Sequence, residues 1–109
     1  MNRKPFYALQ GWYPREKHVL TEMIEMTLKS ISPKPLTKGQ WIHGIIAPHA
    51  GYIYSLKTAM HAYCQLTGPY REIFVLGPSH RSSCGGKAVL SDFSAFEIPL
   101  GTMPLEKKI

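Results

Sequence analysis

Two apolar runs, each cut off by a proline with a histidine just beyond it, constrain this chain more than any other feature. Residues 42–47 lead into Pro48-His49, and residues 72–76 lead into Gly77-Pro78-Ser79-His80. Short β-branched runs bounded by Gly or Pro read as buried strands. Between them, residues 55–67 have helical length and composition. Strand, helix, strand of this size is a βαβ unit, whose crossover sets the two strands parallel in one sheet. The expected fold class is therefore α/β, a parallel βαβ core with flanking helices. Both histidines then lie just past the carboxyl ends of parallel strands, where open α/β sheets bind their ligands.

Composition limits what surrounds this unit. At 109 residues the chain fits a single domain, 1–109, with no room for a second core. An apolar fraction of 44% and an aromatic fraction of 11% suit a folded globule. The net charge of +6 raises the question of nucleic acid, but the 13 Lys and Arg residues are scattered from Arg3 to Lys108. No helix or strand gathers them and no nucleic-acid motif is present, so a solvated basic surface is expected. Cys64 and Cys84 do not form the cysteine framework of small secreted domains. The amino terminus lacks the apolar region of a signal peptide, and no apolar run approaches the roughly 20 residues of a membrane span. The expected setting is cytoplasmic, reducing and without membrane insertion.

Elsewhere the pattern is helical or polar. Gly11-Trp12-Tyr13-Pro14 reads as a turn. Residues 15–31 form an amphipathic helix, with Leu20, Ile24, Leu28 and Ile31 on one stripe. Pro33 and Pro35 end it. In the helix expected over 55–67, Ser55 is the candidate N-cap, which would put free backbone N–H groups beside His49. Gly68-Pro69 stops that helix. Residues 87–90 read as a third short strand.

Neutral imidazole is a common ligand for zinc, iron and copper. The spacing of His49 and His80 is that of one βαβ crossover, which brings distant residues to neighbouring strand ends. The residues alone leave three uses open: metal ligation, general acid–base chemistry, or plain strand-end polar groups hydrogen-bonded to backbone. Cys84, four residues past His80, could reach a metal there, although a free loop cysteine is more often no ligand. His18, His43, His61 and Cys64 read as surface or packing residues. Tyr52 and Tyr54 are candidate substrate contacts or ordinary half-buried tyrosines. Trp12 and Tyr13 form either a hydrophobic lid or a packing staple.

Three blocks carry a resemblance: Ile-Ile-Ala-Pro-His-Ala-Gly-Tyr-Ile-Tyr-Ser (45–55), Lys-Thr-Ala-Met-His-Ala-Tyr (57–63) and Ile-Phe-Val-Leu-Gly-Pro-Ser-His-Arg (73–81). Together with Gly11-Trp12-Tyr13-Pro14, they resemble the Memo family, mediators of receptor-tyrosine-kinase-driven cell motility. Members are longer, so the chain is expected to match an amino-terminal part. The resemblance implies a fold similar to the amino-terminal part of a class III (non-haem iron) extradiol dioxygenase-like fold. It also implies a His-His-Cys pocket associated with copper or iron and with redox activity, in which His49 and His80 match the two histidines. The same cleft is implied to bind a phosphotyrosine peptide of a receptor tyrosine kinase, and Trp12 and Tyr54 match aromatics there. The family's cysteine ligand falls beyond Ile109, and Cys84 does not match it. Leu56 stands where a small residue is usual, and Gln10-Gly11 replaces a Gly-Ser pair. A non-enzymatic signalling adaptor and an inactive truncated fragment are the alternatives.

Overall fold

The computed structural model describes residues 2–3, 10–34, 36 and 39–106. In chain order the elements are β1 (Asn2–Arg3), α1 (Lys17–Ser30), α2 (Tyr52–Tyr63), β2 (Ala95–Ile98) and β3 (Gly101–Pro104). The sheet has the order β1-β2-β3. Asn2 and Arg3 pair in parallel with Ala95 and Phe96. β2 and β3 form an antiparallel hairpin closed by the Ile98–Gly101 pair. The link between them is Pro99-Leu100, and Gly101 takes a φ of 149°, which a side chain would strain. Pro104 sits on the edge strand, where a missing donor costs the ladder least.

The stripe expected of α1 is buried only in part: Ile24 is half-buried and Leu28 is 39% exposed. Leu20 is 2% exposed and Ile31, just past the helix, is 8% exposed. α1 packs against α2, whose buried residues are Ser55, Leu56 and Ala59. The helix stops at Ser30 because Ile31 turns extended, at ψ 152°, ahead of Pro33. Its start lies two residues later than expected, at Lys17, with Glu16 as an N-cap that makes no side-chain bond.

α2 departs further from expectation. It runs Tyr52–Tyr63 rather than 55–67, with Gly51 as N-cap. Ser55 is therefore inside the first turn, and its hydroxyl points back to the Ala50 carbonyl at 2.7 Å. The earlier start is fixed from outside the helix: the Tyr52 N–H donates to the Trp12 carbonyl at 2.7 Å. Beyond Tyr63 the chain tightens into i→i+3 bonds, Gln65 to Ala62 and Leu66 to Tyr63, before the Gly68-Pro69 stop.

The runs 42–47 and 72–76 carry no ladder partner among the described residues, and neither does 87–90. An extended segment becomes a strand only when a neighbour takes its N–H and C=O groups. The hairpin in residues 95–104 and the two-residue β1 supply the sheet instead, and neither was expected. The radius of gyration is 15.6 Å, against about 13 Å for a compact domain of this length. No described helix is long and apolar enough to cross a membrane.

Candidate metal centre and aromatic cleft

His49 and His80 meet. Their Nε2 atoms lie 3.1 Å apart, with ring centroids 5.2 Å apart and planes inclined at 43°. Local bonds order the loop beside each ring. Beyond His49, the Ala50 carbonyl accepts from Ser55 Oγ, and the Gly51 carbonyl accepts from the amides of Tyr54 and Ser55 at 2.9 and 3.1 Å. Around His80, Ser79 Oγ donates to the Ser82 carbonyl at 2.6 Å and accepts from the Ser82 N–H at 3.3 Å. Pro48 and Pro78 fix φ one and two residues ahead of the histidines.

A 3.1 Å approach of two ring nitrogens has two chemical meanings. Neutral imidazole offers one N–H and one lone pair, so complementary tautomers can share a proton across the gap. Alternatively both lone pairs face one cation. Nitrogens each about 2.0–2.1 Å from the same ion subtend roughly a right angle at this separation, the spacing of adjacent ligands in common coordination shells. Two imidazole nitrogens at this spacing fit two positions on any of the ions imidazole suits, zinc, copper, iron and nickel alike. No group of three His, Cys, Asp or Glu residues gathers among the described residues. Cys84 is a free thiol outside any such group.

His49 also borders a cleft of about 330 Å³ between the 11–14 turn and the two helices. Trp12, Tyr13, Tyr52 and Tyr63 supply its aromatic surface, and Ile24, Leu56 and Met60 its aliphatic surface. Tyr13 and Tyr52 pack with ring centroids 5.6 Å apart. Burial pushes both phenols above their ordinary pKa, with Tyr52 adding to the effect on Tyr13 and Tyr63 to that on Tyr52. Tyr13 Oη is shielded from solvent and has no hydrogen-bond partner among the described residues. A larger hollow of about 490 Å³ lies over Lys17, His18, Thr21, Glu22 and Glu25, but these share one open helix face and converge on nothing.

The structure thus brings His49, His80 and Trp12 to one region. Tyr54 sits in the same helical turn yet is 81% exposed and does not line the cleft. Tyr52 lines it instead. The stripe Tyr52, Leu56, Ala59 and Tyr63 that places them there follows only once the helix is known to start at Tyr52. The expected free amides beside His49 are fewer than the sequence suggested, because the Trp12 carbonyl occupies that of Tyr52.

The profile of a family described as Memo-like protein matches residues 3–109. A MEMO1 family protein of Nitrosopumilus maritimus is 36% identical over 112 residues, which cover 99% of this chain and 40% of that protein. The MEMO1 family protein MHO1 of Saccharomyces cerevisiae is 31% identical over 97% of the chain and 31% of its own length. A MEMO1 family protein of Aquifex aeolicus is 32% identical over 90% of the chain and 34% of its own length. The chain spans about two-fifths or less of the curated relatives it matches. No solved structure matches it significantly.

Proposed function

This chain belongs to the Memo-like protein family, and from that premise we propose that it binds copper or iron through His49 Nε2 and His80 Nε2. The observation that carries the reading is the 3.1 Å approach of the two nitrogens from loops 31 residues apart. Either metal, when bound, would supply one-electron chemistry and coordination positions left open by a two-histidine set. The protein's share is to orient the rings and to keep a dry aromatic wall beside one of them. Ser55 and Ser79 do the first through their backbone bonds. Trp12, Tyr13 and Tyr52 do the second. The reading includes redox activity in cell motility signalling, in the cytoplasm, where the free thiols Cys64 and Cys84 would stay reduced. It also includes the α/β fold, with 42–47 and 72–76 as parallel neighbours in a dioxygenase-like core.

The adaptor reading, a phosphotyrosine peptide held near Trp12 and Tyr54, has less support. A phosphate dianion calls for Arg or Lys, and the described lining of the cleft contains neither. Metal titration of the wild type and of the His49→Ala, His80→Ala double variant tests the first reading. One ion per chain is expected, with nitrogen hyperfine splitting from two imidazoles in the copper spectrum, and both features lost in the variant. Equal affinity in the two proteins would refute it.

A further inference from the structure

The cleft beside His49 draws its described lining entirely from residues 12–63. Four of those side chains are large aromatics, Trp12, Tyr13, Tyr52 and Tyr63, and Met60 adds a polarisable thioether. No Lys, Arg, Asp or Glu stands among the described lining. Trp12 and Tyr63 reach the surface, at 38% and 50% exposed. Tyr13 and Tyr52 lie deeper and pack together with ring planes inclined at 43°. Desolvation holds both phenols above their ordinary pKa, so the inner rings stay neutral. The Tyr52 N–H donates to the Trp12 carbonyl at 2.7 Å. That bond ties the turn carrying Trp12 and Tyr13 to the helix carrying Tyr52 and Tyr63.

An aromatic face carries the negative end of the ring quadrupole and attracts a cation, most strongly where water is excluded. An anion finds no Lys or Arg to meet it here. A primary ammonium or a guanidinium brings several N–H donors that need acceptors once they leave water, and this lining offers no carboxylate to take them. A quaternary ammonium has no N–H to satisfy. Its charge is spread over methyl groups that pack on apolar surface. The cleft of about 330 Å³ stands at the lower end of small-molecule sites, about 300–1,000 Å³, and has room for a trimethylammonium group. We therefore infer that it binds a small quaternary ammonium compound, whose trimethylammonium group is caged by Trp12, Tyr13, Tyr52 and Tyr63. The inference rests on these rings and their uncharged setting, and not on metal ligation.

The test titrates choline calorimetrically into the 109-residue chain in buffer containing a chelator. Beside it runs the uncharged analogue in which a tert-butyl group replaces trimethylammonium. One choline per chain is expected, bound on the order of 10-fold more tightly than the analogue. Trp12→Leu removes a ring but keeps the main-chain carbonyl that the Tyr52 N–H meets. It should weaken choline about fivefold or more, and the analogue by no more than about twofold. Tyr63→Leu, at a half-exposed position, should act in the same direction, whereas Tyr13→Phe keeps its ring and should leave both affinities unchanged. The comparison of choline with its analogue needs only the wild type. Absence of choline binding, equal affinity for the analogue, or wild-type choline affinity in folded Trp12→Leu overturns the inference. So does a trimethyl-lysine peptide that binds where choline does not, since the occupant would then be a protein tail. Because no metal is present, none of these outcomes bears on the histidine titration.

Discussion

Replacing Ser55 with alanine removes the side-chain bond that ties α2 to the residue after His49. Ser55 is 6% exposed, and its Oγ lies 2.7 Å from the Ala50 carbonyl and 3.3 Å from that of Gly51. A hydroxyl has one proton to donate. Only the shorter distance falls within the usual range of about 2.5–3.0 Å for O–H···O bonds, so the substitution loses one good bond rather than two. Such a bond contributes about 0.5–1.5 kcal/mol net. Ala50 is exposed and water can take over its carbonyl, which places the cost near 1 kcal/mol. For a domain of this size that is a fall in Tm of about 4–6 °C. The bond can hold the His49 loop in place by no more than its own strength. Copper or iron affinity should therefore drop by no more than about fivefold, the factor equivalent to 1 kcal/mol. Thermal melting and calorimetric metal titration of one preparation measure both quantities. A Tm within about 1 °C of wild type would refute the stability argument. An affinity loss beyond about tenfold with stability intact would refute the positioning argument.

The remaining expectations concern the helix pair and the tyrosines. Leu20→Ala should destabilise by about 2–4 kcal/mol in urea unfolding, since Leu20 is 2% exposed in the α1–α2 contact; a loss below about 1 kcal/mol would mean the helices do not pack. Tyr13→Phe deletes a shielded hydroxyl with no partner among the described residues, so it should be neutral or stabilising by up to about 1 kcal/mol in the same assay. Burial holds the Tyr13 and Tyr52 protons more tightly in the folded state than in the unfolded chain. Their contribution is full below the unfolded pKa of about 10 and is lost as pH rises above it. Tm should therefore fall above about pH 10, less steeply in Tyr13→Phe, and a flat profile would contradict the assignment.

Some of this was legible in the sequence because it is local, and some was not because it is long-range. The stripe Leu20, Ile24, Leu28, Ile31 and the stop at Pro33 predict α1 to within two residues at its start and one at its end. The start of α2 was misread because Ser55 has the chemistry of a cap, while the real determinant is the Trp12 carbonyl, remote in sequence. The β2–β3 hairpin turns on Pro99-Leu100, which lacks the Asn-Gly type of signal that makes hairpins readable. β1 pairs with a strand near the other end of the chain, and no periodicity in two residues announces that. Runs 42–47 and 72–76 have strand composition, but pairing depends on a neighbour that their own residues do not specify. The convergence of His49 and His80 was readable from their shared place after two proline-ended runs. The tyrosine wall of the cleft was not, because it follows from where α2 begins.

That contrast bears on how the site holds together. Among the described residues the bonds that order the segments beside the two imidazoles are loop or helix-end contacts: Ser55 to Ala50, the Ser79–Ser82 pair, and Tyr52 to Trp12. The rings therefore reach 3.1 Å while the runs behind them have no ladder partner among the described residues. Pre-positioned donors lose less freedom when they engage an ion, so the histidine pair can keep its donor geometry without a strand ladder beneath it.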